Sequence, residues 1–178
     1  ELVRIGTCGI LHPEIPVHSY ILSTHAFGLD NVAHFYDLEF TEEEIELTKS
    51  ISDHLNLPEK IQPYLCSASK ELHAKFDSDK VHNGITITSS GFYGPQGRQL
   101  RLENRTSSLN NDLSSFDNGK NTITNFEMES SALFALGRGL GHRCSTICLG
   151  IANRPTTEFS TGYKKEMNEL IIYVLDRI

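Results

Sequence analysis

A chain of 178 residues, 38% hydrophobic and 22% charged, has the make-up of a folded domain rather than a disordered segment, and its length suffices for one α/β core. The net charge of −7 argues against a nucleic-acid partner, whose readers carry clustered Lys and Arg. No apolar run is long enough to span a bilayer and no signal peptide is visible, so a cytoplasmic protein that binds small molecules through local positive groups is expected.

Taken in chain order, Leu2 to Ile5 reads as a buried strand running into a turn that contains Gly6 and Gly9. A chain that opens on Glu1 inside a core strand is expected to lack its natural start. Val17 to Leu22 follows a turn holding Pro13 and Pro16. Thr41 and Glu44 have capping-box spacing, Ile45, Ile51 and Leu55 continue a helical stripe, and Pro58 ends it. Ser67 to Phe76 reads as a helix that leads through Asn83-Gly84 into a strand at 85–89. Residues 104–121 read as a loop with one short helix, Leu109 to Phe116. From Glu127 to Leu140 the pattern is helical, with Ala132, Leu133, Leu136 and Leu140 on one face and Gly141 at the end. Cys144 to Ile151 is an apolar strand, and Lys164 to Ile178 a C-terminal helix with Met167, Leu170, Ile171 and Val174. Strands alternating with helices, without repeat or linker, point to a single α/β domain over 1–178 around a mostly buried sheet. Cys8, Cys66, Cys144 and Cys148 form no CxxC pair and read as buried reduced thiols, not a metal site.

Four segments could carry chemistry. Arg4 sits in an apolar strand, where an unpaired guanidinium is costly, so it needs an anionic partner. That partner is either a core carboxylate or a bound phosphate cradled by the Gly6-Thr7-Cys8-Gly9 turn. In Phe92-Tyr93-Gly94-Pro95-Gln96-Gly97-Arg98, residues 96 and 98 would share a side if extended. A carboxamide beside a guanidinium can read a flat heterocycle of alternating carbonyl and N–H groups, as uracil presents. Glu127 and Glu129 flank Met128. An irregular helix entry would aim both carboxylates at ribose hydroxyls with Met128 against the sugar, whereas a regular helix start would use them for the macrodipole. Asn153-Arg154-Pro155 closes a strand where α/β sheets place ligands, or is a plain polar turn.

Together, Arg4-Ile5-Gly6-Thr7, the Phe92 to Arg98 segment and Asn125-Phe126-Glu127-Met128-Glu129-Ser130 resemble the nucleoside phosphorylase family, uridine phosphorylases most closely. Leu29-Asp30, His34-Phe35 and Leu38-Glu39-Phe40 resemble the family's middle region. The resemblance implies a phosphorylase-type fold, a three-layer αβα arrangement, with the N-terminal part missing. It implies transfer of a pentosyl group from uridine to inorganic phosphate as co-substrate, with no cofactor and no metal. A purine nucleoside phosphorylase of the same fold, or a non-catalytic nucleoside-binding protein, is the alternative. By resemblance Arg4, Gly6 and Thr7 would hold phosphate, while Thr7, Glu127, Met128 and Glu129 would hold ribose. Phe92, Gln96, Arg98 and Arg154 would hold the base, and Arg4, Gln96, Arg98 and Glu129 would be catalytic. Purine-specific relatives carry Asp where Asn153 stands, and the family's Gly-Asp-Pro-x-Arg phosphate loop has no counterpart here. A homo-oligomer, dimer or hexamer, is implied, with a neighbouring subunit donating a further Arg and a His.

Overall fold

The apolar and small residues that follow Leu2 do not turn at Gly6: in the computed structural model, which describes all 178 residues, they form one strand, β1, Leu2–Ile10. The next strand, β2, is Tyr20–Gly28, starting three residues later than the apolar stretch from Val17 suggests, because residues 16–19 form a turn. There follow α1 (Glu42–Leu55), β3 (Tyr64–Ser67), α2 (Lys70–Phe76), β4 (Val81–Thr88) and α3 (Leu109–Ser115). The last part comprises β5 (Ile123–Glu127), α4 (Ser130–Gly139), β6 (Cys144–Asn153), β7 (Glu158–Phe159) and α5 (Lys164–Leu175).

The strands form one mixed sheet in the order β3-β2-β4-β5-β1-β6-β7, and β2 pairs with β6 as well, through Tyr20–Leu149, Ile21–Cys148 and Leu22–Ile147. The sheet thereby curls until β2, β4, β5, β1 and β6 close on themselves, with helices packed outside. This is the α/β class expected, a mostly buried sheet under helices. On one side Leu47, Ile51 and Leu55 of α1 join Leu109 and Leu113 of α3 over Phe27, Ile87 and Phe126. On another, Leu72 and Phe76 of α2 meet Leu170, Tyr173 and Val174 of α5 over Leu22, Ile147 and Leu149. Helix α4 packs Phe134 and Ala135 against Ala26, Tyr64 and Cys66. Within the sheet the buried polar side chains meet one another: Ser23 Oγ lies 2.6 Å from Thr86 Oγ1, which donates to Asn125 Oδ1 at 2.9 Å.

Several expected boundaries shift for identifiable reasons. Helix α2 starts at Lys70, not Ser67, because Ser69 caps it and Tyr64 to Ser67 pair with β2. The segment from Glu127 is not helical at its start: Ile123–Glu127 pairs with β4 and β1, and the helix begins at Ser130. Its inward face is Ser130, Ser131, Phe134, Ala135 and Gly137, so Leu140 is left 75% exposed. In α1 Ile45 is likewise outward, 57% exposed, and the position before it, Glu44, is buried instead. The last helix ends at Leu175 rather than Ile178. All four cysteines are buried free thiols, as expected.

Glu44 explains the inversion. Thr41 and Glu44 form the capping box, but the carboxylate also accepts from the Ser67 amide at 2.7 Å and from Arg138 Nη1 at 2.7 and 2.9 Å. Burial alone would raise its pKa; the Ser67 and Thr41 amides and the Arg138 guanidinium outweigh that and hold it below the usual carboxylate value. A carboxyl with a lowered folded pKa contributes stability above its unfolded pKa and loses it as pH falls through the folded value. Arg138→Ala should therefore destabilise by about 3 kcal/mol, the cost of stranding a buried charge. Denaturant unfolding at pH 7 and at pH 3 checks this: the deficit should shrink in acid, and an equal deficit at both would count against it.

Candidate active site

A cavity of about 330 Å³ opens where β1, β5 and β6 end beside the 92–98 turn and β7. Of the residues singled out in the sequence, Arg4, Thr7, Phe92, Gln96, Arg98, Glu127, Met128, Glu129 and Arg154 all line it. Gly6 does not, and its service is different. A Cβ there would lie 2.5 Å from Arg4 Nη1, so glycine lets the guanidinium fold back along its own strand. A larger groove of about 1100 Å³ runs behind the same turn among Leu29, Leu57, Ile61, Leu100 and Leu109. Arg101, Glu103, Asn104 and Arg105 also line that groove, but all come from the 90–109 segment, which lines it with its neighbours at 29 and 57–61. The smaller cavity is where side chains of β1, β5, β6 and the 92–98 turn meet, and convergence of polar groups from separate elements rather than size marks a site.

At one end Arg4 finds its anion in the protein itself. Its guanidinium pairs with Glu129, lies 3.3 Å from Glu127 Oε2 and donates to Cys148 Sγ at 3.1 Å. Burial would lower its pKa, but the neighbouring Cys148, Glu127 and Glu129 raise it, so it stays charged. The expected anion-binding turn at Gly6 to Gly9 is absent, because those residues are strand, paired with Cys148 to Ala152 of β6. The N-terminus of α4 is also occupied. Glu127 accepts from the amides of Glu129 and Ser130 at 3.0 Å, and Thr88 Oγ1 from that of Ser131 at 3.0 Å. Thus Glu127 takes the helix-capping role and the Arg4 contact together, and only Glu129 and Met128, at 39% exposure, remain open toward the cavity.

At the other end the geometry is cationic. Residues 94–96 form a 3-10 turn, so Gln96 and Arg98 are not on an extended segment, yet their side chains do meet. Gln96 is 3% exposed; its Oε1 accepts from Arg98 Nη1 at 2.9 Å and also from Arg154 Nη2, while its backbone carbonyl accepts from Arg154 Nη1 at 2.7 Å. The carboxamide oxygen is saturated by two guanidiniums, which orients Gln96 with its NH₂ as the free donor. Arg98 donates to the Phe92 carbonyl at 2.6 Å and stacks 3.9 Å over the Phe92 ring, so Phe92 supports Arg98 directly. Arg154 lies 4.5 Å over Phe126, and Gly9 makes that possible, since a Cβ there would sit 2.8 Å from Arg154 Nε. Burial, then the like charge of Arg98, pushes the Arg154 guanidinium down to about 9. Both arginines remain cations at neutral pH with no carboxylate facing them.

The sequence did not signal Phe126, Phe159, Ser160 and Tyr163 as cavity residues. β7, which carries Phe159, is two residues long and has no periodicity to detect. Asn153, by contrast, is outside the cavity: its Nδ2 donates to the carbonyls of His12 and Ile15 at 2.9 Å, and its Oδ1 accepts from the Thr156 amide. Burial pushes the Cys8 thiol in the cavity floor well above its usual pKa, so no thiolate nucleophile is available there.

A profile of the phosphorylase superfamily matches residues 1–175. The chain belongs to that superfamily. It is 28% identical over 172 residues to a uridine phosphorylase of Thermococcus kodakarensis, covering 92% of this chain and 52% of that protein. It is 25% identical over 169 residues to the uridine phosphorylase of Escherichia coli K12, covering 94% and 59%. The fold matches a Trypanosoma brucei nucleoside phosphorylase described as showing uridine phosphorylase activity, with a TM-score of 0.84 and 24% identity over 98% of this chain and 60% of that one. The chain therefore spans somewhat over half the length of these phosphorylases. No helix is long and apolar enough to cross a membrane.

Gln96→Leu removes the one acceptor that two guanidiniums share and should cost about 2 kcal/mol. Arg98→Ala removes a like charge from Arg154 and should stay within about 0.5 kcal/mol of the parent. Paired thermal melts check the contrast; equal destabilisation of the two would contradict it.

Proposed function

We propose that the cavity binds a pyrimidine nucleoside and supports its phosphorolysis, uridine and inorganic phosphate giving uracil and ribose 1-phosphate, a pentosyl transfer. The observation that carries the reading is the uncompensated pair Arg98 and Arg154 held on the buried carboxamide of Gln96. Cleavage at an anomeric carbon passes through an oxocarbenium-like state, positive on the sugar and negative on the departing base. The cationic end suits the developing base anion: Gln96 offers its NH₂ to a ring carbonyl, and Arg98 and Arg154 stabilise the charge. The carboxylate end suits the sugar, with Glu129 accepting from ribose hydroxyls and Met128 against the ring. Thr7, on the strand beside Arg4, would contact ribose or phosphate. Asn153, sealed against the 12–15 turn, takes no part in choosing between pyrimidine and purine.

Phosphate is served less completely. Arg4 already faces two carboxylates, so a phosphate beside it needs further positive charge, which a second copy of the chain in a homo-oligomer would supply. No side chain acts as a nucleophile in this mechanism, and no metal or cofactor takes part.

Uracil release should require phosphate and exceed base release from inosine when the intact protein is assayed on both. Arg98→Ala should lower kcat/KM for uridine about 100-fold or more, the usual cost of one electrostatic donor. Release from inosine alone would overturn the pyrimidine reading, and release without phosphate would overturn phosphorolysis.

A further inference from the structure

One polar constellation in the cavity wall has no role in the mechanism above. Ser160 follows β7 and is held by its amide, which donates to the Ile151 carbonyl at 2.9 Å. Phe159 pairs with Ala152, and Ala152 with Gly9, the residue Arg154 lies against. Ser160 thus stands on the strand pair bordering the cationic end. Its Oγ is 2.7 Å from His18 Nε2 and accepts from the Gly162 amide at 3.3 Å. His18 reaches it from the turn between β1 and β2 in a left-handed conformation, φ 72°, pinned by its amide donating to the Gly150 carbonyl at 2.7 Å. A non-glycine residue held at positive φ is unusual, and such backbone is often found at functional positions. Across the ring, Nδ1 faces Glu166 Oε1 of α5 at 3.9 Å. Beyond His18 a second cavity of about 140 Å³, lined also by Tyr20, Lys80, Glu166 and Glu169, leads to solvent.

A hydroxyl has one proton to give and two positions that accept. With His18 as imidazolium, both ring nitrogens donate, Nε2–H to Ser160 Oγ and Nδ1–H toward Glu166. The Gly162 amide fills the second acceptor position on Oγ. The proton of Ser160 is then the one group of the trio left for a ligand in the cavity.

Phosphorolysis needs such a donor. The C–N bond breaks with its electron pair going to the base, and the resulting anion must be protonated before it leaves as a neutral heterocycle. The groups that hold the base are poor acids: a carboxamide and two guanidiniums. Glu127 and Glu129 are paired with Arg4, and the Cys8 thiol is buried. A histidine is the side chain suited to exchanging protons near neutral pH, and His18 reaches the cavity through Ser160.

We propose that Ser160 gives its proton to the departing base while His18 replaces it from Nε2. The imidazole is recharged from solvent through the outer cavity beside Glu166 and Glu169. Ser160 is then a catalytic residue and His18 a positioning and proton-supplying residue behind it. The proposal rests on the phosphorolysis reading and adds to it a donor that the base-binding arginines do not provide.

The test compares two leaving groups, uridine and 5-nitrouridine, whose base is far more acidic and can depart as an anion. Ser160→Ala and His18→Asn are made in the intact protein; Asn tolerates the left-handed backbone, so the turn is kept. Both variants should lower kcat on uridine about 100-fold, a typical contribution of general acid catalysis. The ratio of uridine to 5-nitrouridine rates should fall about 30-fold with it. A structural role would slow both substrates alike, so an unchanged ratio in both variants overturns the relay and leaves phosphorolysis standing. If the parent protein cleaves neither substrate, the phosphorolysis reading fails and the relay with it.

Discussion

The carboxylate of Glu127 joins three strands of the closed sheet and one helix. It ends β5, accepts from Thr88 of β4, accepts from the first amides of α4, and faces the guanidinium of Arg4 on β1. The Thr88 hydroxyl and the Ser130 amide would otherwise be buried donors without a partner, which is expensive. The site inherits its layout from this one side chain. Because Glu127 is consumed in holding β1, β4, β5 and α4 together, the neighbouring residues Met128 and Glu129 are pushed outward into the cavity mouth. Arg4 is in turn drawn back over Gly6.

What the sequence revealed and what it hid follow from the range of the interactions involved. Local signals were legible: the Thr41–Glu44 capping box, the short helix at Leu109 and the apolar strand from Cys144 all form near where the pattern places them. The residues singled out account for nine of the 17 that line the cavity, all of its arginines and carboxylates among them, because charged groups at a strand end stand out in a sequence where apolar lining does not. Strand extent was not legible. Gly6 and Gly9 look like turn residues, but they are in β1 because close approach of Arg4 and Arg154 requires them. Nor could the sequence show that β2 would reach round to β6, a non-local pairing that no periodicity encodes. Ser160 and His18, 142 positions apart, are brought together by that topology alone.

The cavity is divided by charge, and the division follows from packing. Carboxylates surround the β1 cation because α4 begins there and its amides attract them. The 92–98 turn has no helix start beside it, and Arg98 of the turn and Arg154 after β6 are held by a neutral carboxamide and by aromatic faces at Phe92 and Phe126. Neutral oxygens and ring faces orient a guanidinium without cancelling its charge. Such an end keeps its attraction for a ligand that becomes negative during reaction, which is more useful to catalysis than affinity for a neutral ground state.

On the function proposed for this chain, the same accounting of charge separates the two substrates. Around Arg4 one cation meets two carboxylates, a local surplus of negative charge that opposes a phosphate dianion. Around Gln96 two cations meet none, which welcomes a base. On the reading proposed for this chain, the groups that hold the base and the open ribose carboxylate lie within residues 92–154, with Thr7 and Gly9 of β1 beside them. Phosphate recognition requires Glu129 to turn from Arg4 toward ribose, or further cations to enter. Either change makes the two substrates depend on each other, because a ribose that draws Glu129 away leaves Arg4 freer for phosphate. Binding of the nucleoside should then raise affinity for phosphate, and by linkage phosphate should raise affinity for the nucleoside by the same factor.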